Sequence, residues 1–188
     1  VLTTKVAYLV LEKNIAPENI LAITFTNKAA KEMKERIIDK IGLVAYQIQI
    51  STFHSFGLSI LRKHYEKLGL SKNFTILDSD DTNVIIKNIL KDQNIEENVR
   101  TIKSTISNNK NALIDATSYE RFANTDFDQT VLNVYKRYEQ RLKMNNSVDF
   151  DDLLMLPIVL FQHYPEVLKE YQEQYQYILI DEYQDTNE

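Results

Sequence analysis

Apolar positions recur along this chain with two periods, and the order in which those periods alternate predicts its architecture. Leu2, Val6, Leu9 and Val10 return at helical spacing. Ile20-Leu21-Ala22-Ile23-Thr24-Phe25 is a short apolar run that predicts a strand. Thr26 or Asn27 then stands where a helix cap belongs, and Ala29, Met33, Ile37 and Ile41 line one face of a predicted helix over 28–41. Ile48 and Ile50 alternate with Gln47 and Gln49, which predicts a strand over 47–52. A helix is expected next, from Phe53 to Leu68, ended by Gly69. Strand, helix, strand, helix in this rhythm implies an α/β fold with a parallel sheet.

From about 77 to 146 only the helical period persists. Asp78 to Asp81 offer N-caps for a helix running to Lys91, with Val84, Ile85, Ile89 and Leu90 apolar. Thr117-Ser118-Tyr119-Glu120 fits a capping box. Val131, Val134, Tyr135, Tyr138 and Leu142 recur in steps of three and four over 128–143. This stretch is therefore expected to be an all-helical subdomain, inserted into an α/β domain made of 1–76 and 147–188. Beyond it, a helix is expected over 149–161 with a break or kink near Pro157, and another from Pro165 to Tyr175. Tyr177-Ile178-Leu179-Ile180 closes the pattern as a short strand, expected to be buried because unbroken apolar runs mark parallel strands covered on both faces.

Composition narrows the classes. The 188 residues are 44% hydrophobic and 26% charged, ordinary for a soluble globular protein. No Cys occurs, which excludes a disulfide framework or a Cys-based zinc site and is compatible with the reducing cytoplasm. No apolar stretch reaches the roughly 18 residues of a membrane span, so no membrane partner is expected. The net charge of −5 argues against a passive basic coat for nucleic acid but leaves room for a local groove. His54, His64 and His163 show no metal-ligand spacing.

The strand at 177–180 runs straight into Asp181 and Glu182. In open α/β sheets ligands bind beyond the carboxyl ends of the strands, and successive side chains there point opposite ways. One carboxylate can thus hold a metal while its neighbour addresses a water, the arrangement an Mg²⁺-nucleotide hydrolase needs. An acidic surface loop is the alternative. Gln184 and Asp185 either cap the next turn or join the nucleotide site.

These residues carry a resemblance. Asp181-Glu182-Tyr183-Gln184-Asp185-Thr186-Asn187 looks like the Walker B segment of superfamily 1 DNA helicases of the Rep, UvrD and PcrA kind. Ala22-Ile23-Thr24-Phe25-Thr26-Asn27-Lys28-Ala29-Ala30-Lys31-Glu32-Met33 resembles the first DNA-contacting motif of that family, and Ser51-Thr52-Phe53-His54-Ser55-Phe56-Gly57 the next. Val148-Asp149-Phe150-Asp151-Asp152-Leu153-Leu154 matches as well, and Asn73-Phe74 and Thr105-Ile106-Ser107 look most like the Rep branch.

The resemblance implies part of a RecA-like P-loop NTPase motor that uses ATP and Mg²⁺ to move on single-stranded DNA and unwind duplex. Its expected partners are single-stranded DNA, duplex junctions, and proteins of DNA replication or repair. Asp181 would hold Mg²⁺; Asp181, Glu182 and Gln184 would face the nucleotide, with Glu182 acting on the attacking water. Thr24, Phe25, Thr26, Asn27, Thr52, Phe53, His54 and Phe150 would meet DNA. Read from residues alone, Phe25 is either a core ring or a stacking platform, and Phe150 either a platform or a core residue beside a hinge. Lys87, Lys91, Arg100, Lys103 and Lys110 either touch duplex DNA or coat a solvated helical surface. The family's Gly-x-Gly-Lys-Thr loop would precede the first helix, and no Gly-Lys-Ser/Thr occurs among these residues. The chain is therefore expected to be a fragment, inactive as an ATPase by itself. A metal-dependent nuclease and a non-enzymatic nucleic-acid-binding module are the competing readings.

Overall fold

The computed structural model describes residues 1–181; the sequence readings for Glu182, Gln184 and Asp185 lie outside the described residues. The elements run α1 (Leu2–Leu11), β1 (Ile20–Thr24), α2 (Asn27–Ile41), β2 (Gln49–Thr52), α3 (Phe53–His64), β3 (Thr75–Ile76), α4 (Ser79–Asp92) and α5 (Val99–Asn111). There follow α6 (Ala116–Tyr119), α7 (Asp126–Met144), β4 (Ser147–Val148), α8 (Asp152–His163), α9 (Pro165–Gln174) and β5 (Tyr177–Ile180). The described chain is thus mostly helical with a small parallel sheet. Among the described residues, no helix is long and apolar enough to cross a membrane. Two compact units divide it, one of Val1–Phe56 with the described part of Phe161–Glu188, the other of Gly57–Leu160.

In the first unit the sheet order is β2-β1-β5, all parallel. Every residue of the central strand β1 is buried. Ile20 and Ala22 pack with Val6, Leu9, Met33, Ile37, Ala45 and Ile48 into one apolar cluster. Here the helical stripes of α1 and α2 meet the strand. Gly42 closes α2 at φ +76°, a left-handed turn that a side chain resists. A 3₁₀ segment, Gly42–Gln47, follows, so β2 starts at Gln49, later than the expected 47. β5 departs further from expectation. It pairs with β1 alone among the described strands, and Ile178 is 59% exposed. An apolar run reports strand formation but not the covering of both faces.

In the second unit, β3 and β4 pair in parallel, and every described element between them is helical. α4 to α7 enclose a core of Ile86, Ile89, Ile102, Ile106, Val131, Val134, Tyr135 and Tyr138. Tyr135 and Tyr138 are core residues, as their spacing predicted. The caps explain the boundaries. Asp78 and Asp81 form a reciprocal capping box on α4, and Thr125 with Asp128 forms another on α7. The expected box at Thr117 is not there. Asp115 caps the short α6 by accepting the Ser118 N–H at 2.7 Å, and Glu120 already terminates it. α5, capped by Asn98, has no counterpart among the expected elements.

α8 starts at Asp152, later than the expected 149, and continues through Pro157 without the break that was one of the two expectations there. Its backbone lies against Gly57 of α3: a Cβ there would collide with the Leu153 carbonyl oxygen. Gly57→Ala should therefore destabilise this unit by roughly 3 kcal/mol, the upper range for overpacking. Urea unfolding of the two chains measures it. An unchanged midpoint would show that α8 yields freely.

Candidate functional site

Parallel pairing aligns two turns whose sequences resemble each other. Thr24 of β1 lies in register with Thr52 of β2, so both strands release the chain at one edge of the sheet. Each turn is built by its own hydroxyls. Thr24, 1% exposed, donates to the Thr26 carbonyl at 3.1 Å. The Thr26 hydroxyl caps α2 by accepting the Ala29 N–H at 3.1 Å. Thr52, also buried, accepts the Ser55 N–H at 3.1 Å and donates to the Ser55 hydroxyl at 3.0 Å, capping α3. Thr24 and Thr52, named from sequence as DNA contacts, thus stand under the turns and shape them.

What reaches the surface are Thr26, Asn27 and His54, all exposed, and the half-buried rings of Phe25 and Phe53. Those rings meet edge to face, centroids 5.5 Å apart and planes 61° apart, one from each turn. The first N–H groups of a helix have no intrahelical acceptor and carry partial positive charge. Neither α2 nor α3 places an acidic residue in its first turn, whereas α4 and α7 both do. Lys28 instead occupies that turn of α2 and is exposed. A cation there opposes the helix dipole and suits a bound anion. Sequence reasoning passed over Lys28, although its place after the Thr26 cap was legible.

Asp181 lies on the opposite flank of β1. Its N–H donates to the Ile23 carbonyl at 3.0 Å, continuing the β5 ladder, and its side chain is exposed. A single exposed carboxylate at a strand's carboxyl end fits Mg²⁺, which keeps several waters and takes one or two carboxylates. The sheet therefore sets Phe25 and Phe53 on one side of the β1 terminus and Asp181 on the other.

Phe150 belongs to the second unit and is 50% exposed. Its acidic neighbours are not free surface charges. Asp149 and Asp152 are buried, and both accept from the ammonium of Lys110, at 2.8 and 3.0 Å. Lys110 is itself fully buried, neither solvated nor open to DNA. Of the other cations named with it, Lys103 is held by Ser79 and Asn83. Glu139 adds a third carboxylate oxygen 2.8 Å from Lys110. Burial disfavours the ammonium, but Asp152, Asp149 and Glu139 outweigh it and hold Lys110 well above the usual lysine range. Burial, with Asp149 and Glu139 nearby, pushes Asp152 up to about 7 against the pull of Lys110. Asp149, for which Lys110 and the Tyr138 hydroxyl outweigh burial, is lowered.

The chain is similar to known proteins along its whole length. The family model described as the UvrD/REP helicase N-terminal domain matches residues 1–188. The ATP-dependent DNA helicase PcrA of Bacillus subtilis (strain 168) is 50% identical over 190 residues, covering 100% of this chain and 26% of the relative. PcrA of Leuconostoc citreum is 48% identical over 192 residues and PcrA of Staphylococcus aureus (strain NCTC 8325) 47% over 190, with the same coverage. The chain spans about a quarter of the length of the curated relatives it matches. The relatives compared carry the PcrA name rather than the Rep name expected from Asn73-Phe74 and Thr105-Ile106-Ser107. By a match over its whole length and relatives at half identity, this chain belongs to the UvrD/REP helicase N-terminal domain family.

Proposed function

We propose that this chain is the DNA-gripping and nucleotide-facing part of an ATP-dependent DNA helicase that translocates on single-stranded DNA and unwinds duplex. The observation that carries the reading is the Thr24–Thr52 register, which joins two polar-aromatic turns at one sheet edge while Asp181 follows the strand on the other side of β1. Phe25 and Phe53 offer ring surface for bases. Thr26, Asn27, Lys28, His54 and the two helix N-termini offer donors for phosphates. The proposal includes the RecA-like P-loop fold for 1–76 with 147–188, and a helical insertion over 77–146. It also includes a cytoplasmic setting, where DNA and ATP meet.

Asp181 would hold Mg²⁺ and, with Glu182 and Gln184, face ATP; bound Mg²⁺ supplies charge neutralisation at the phosphates. The chain's own contribution is positional: the β1–β5 ladder fixes the backbone of Asp181, and the caps on α2 and α3 fix the two turns.

A chimera tests this, with the chain replacing the matching quarter of Bacillus subtilis PcrA. Its ATPase should be stimulated by single-stranded oligonucleotides, and it should separate a tailed duplex. Binding of a labelled oligonucleotide should weaken as salt rises, because phosphate contacts release counterions. A folded chimera that binds no DNA, or cleaves it in a metal-dependent reaction, would overturn the proposal.

A further inference from the structure

Lys110 is a fully buried ammonium gathered from one helix onto groups of three other elements. It bonds Asp149 at the end of β4, Asp152 at the start of α8, and pairs with Glu139 of α7. The Tyr138 hydroxyl donates to the same Asp149 oxygen at 2.7 Å, and the Tyr138 ring lies 5.3 Å from the ammonium. Asp149 and Asp152 also lock one another: the Asp149 N–H donates to Asp152 at 3.0 Å and the Asp152 N–H to Asp149 at 2.9 Å. Next along α5, Asn111 donates to Asp151 at 3.2 Å. Asp149 and Asp152 are thus fastened inward and Asp151 is tied to α5 at the surface, while Phe150 between them is exposed. A buried ion cluster is weak evidence of stabilisation, since well-packed apolar replacements are often as stable; its attested use is to specify one geometry.

We propose that Lys110 is a positioning residue for nucleic-acid binding: it clamps the turn at 149–152 so that the Phe150 ring is held out as a fixed stacking platform. The inference rests on the proposed DNA-binding function and on Phe150 as a platform. It reassigns Lys110 from surface cation to buried clamp. A fixed ring loses less freedom when a base stacks on it, so the clamp acts through preorganisation rather than through contact with DNA.

The chain contains no Trp, so Phe150→Trp introduces a single fluorescent reporter at the platform. In that background Lys110→Met should lower the steady-state anisotropy of the indole. With the 188-residue chain and a labelled single-stranded oligonucleotide, Phe150→Ala should weaken binding about 5- to 150-fold. Lys110→Met should produce a large part of that loss and add nothing further when combined with Phe150→Ala. The slope of affinity against salt should stay as in the parent chain, because Lys110 touches no phosphate.

Tyr138→Phe, which removes one hydroxyl, is the milder variant and should show a smaller effect of the same kind. Should Lys110→Met abolish the cooperative melt, Tyr138→Phe decides the question. A folded variant with unchanged indole anisotropy and DNA affinity would overturn the proposal, as would an undiminished loss in the Phe150→Ala background. Phe150→Ala without effect on a chain that binds DNA would overturn the platform and the clamp together. A chain without DNA affinity would count first against the proposed function.

Discussion

Glu182→Gln, placed in the chimera with Bacillus subtilis PcrA, is expected to leave nucleotide binding nearly intact while ATP turnover falls about 10²- to 10⁴-fold, the usual contribution of a positioned base. The substitution preserves the size of the side chain and its capacity to accept a hydrogen bond, but removes the charge and the proton acceptor. Asp181 keeps its place at the end of β5, since its N–H bond to Ile23 involves backbone alone. Affinity for the nucleotide should survive because phosphoryl-transfer sites hold their substrate through many contacts, while activation of water depends on a few. A fluorescent-nucleotide titration set beside a steady-state ATPase assay separates the two effects. If binding and turnover fell together, Glu182 would have a structural role, and the catalytic reading would have to move to another residue. If neither changed, the acidic pair would be a surface loop after all.

The elements that position this site were legible wherever local chemistry and burial agree. β1 combines an apolar run with a central place in the sheet, and α2 combines a Thr26 cap with an apolar stripe. The pairing of β1 with β2 followed from the strand–helix rhythm. Less legible were features set by partners distant in sequence. Nothing around Lys110 announces that its ammonium meets Asp149 and Asp152, some forty residues on. In one dimension a lysine on a polar helix reads as solvated. Asp149 and Asp152 flank Phe150 in sequence, and nothing local announces that both are buried. The box at Thr117 failed because Asp115, two residues earlier, supplies a better-placed acceptor. The burial of β5 failed because an apolar run cannot report what packs beside it.

Phe25 carries the second large expectation. In the chimera, Phe25→Ala should weaken single-strand binding by roughly 1–3 kcal/mol, about 5- to 150-fold, with little change in nucleotide affinity. The ring is half-buried and leans edge-on against Phe53, so alanine removes two things at once: a stacking face and an intramolecular aromatic contact. The second alone is worth about 0.5–1.5 kcal/mol of stability and would lower the melting temperature without touching DNA. Phe25→Leu separates them. Leucine restores most of the apolar volume against Phe53, so the melt should recover, but it has no π face for a base. DNA affinity should therefore stay low in Phe25→Leu while stability returns. The salt dependence should match the parent, because the phosphate donors at Thr26, Asn27, Lys28 and His54 remain. Fluorescence anisotropy with a labelled oligonucleotide, a nucleotide titration and a thermal melt on the three proteins measure each part. Recovery of DNA affinity together with stability in Phe25→Leu would make Phe25 a packing residue, and the base-stacking function would then fall to Phe53 or to none of this surface.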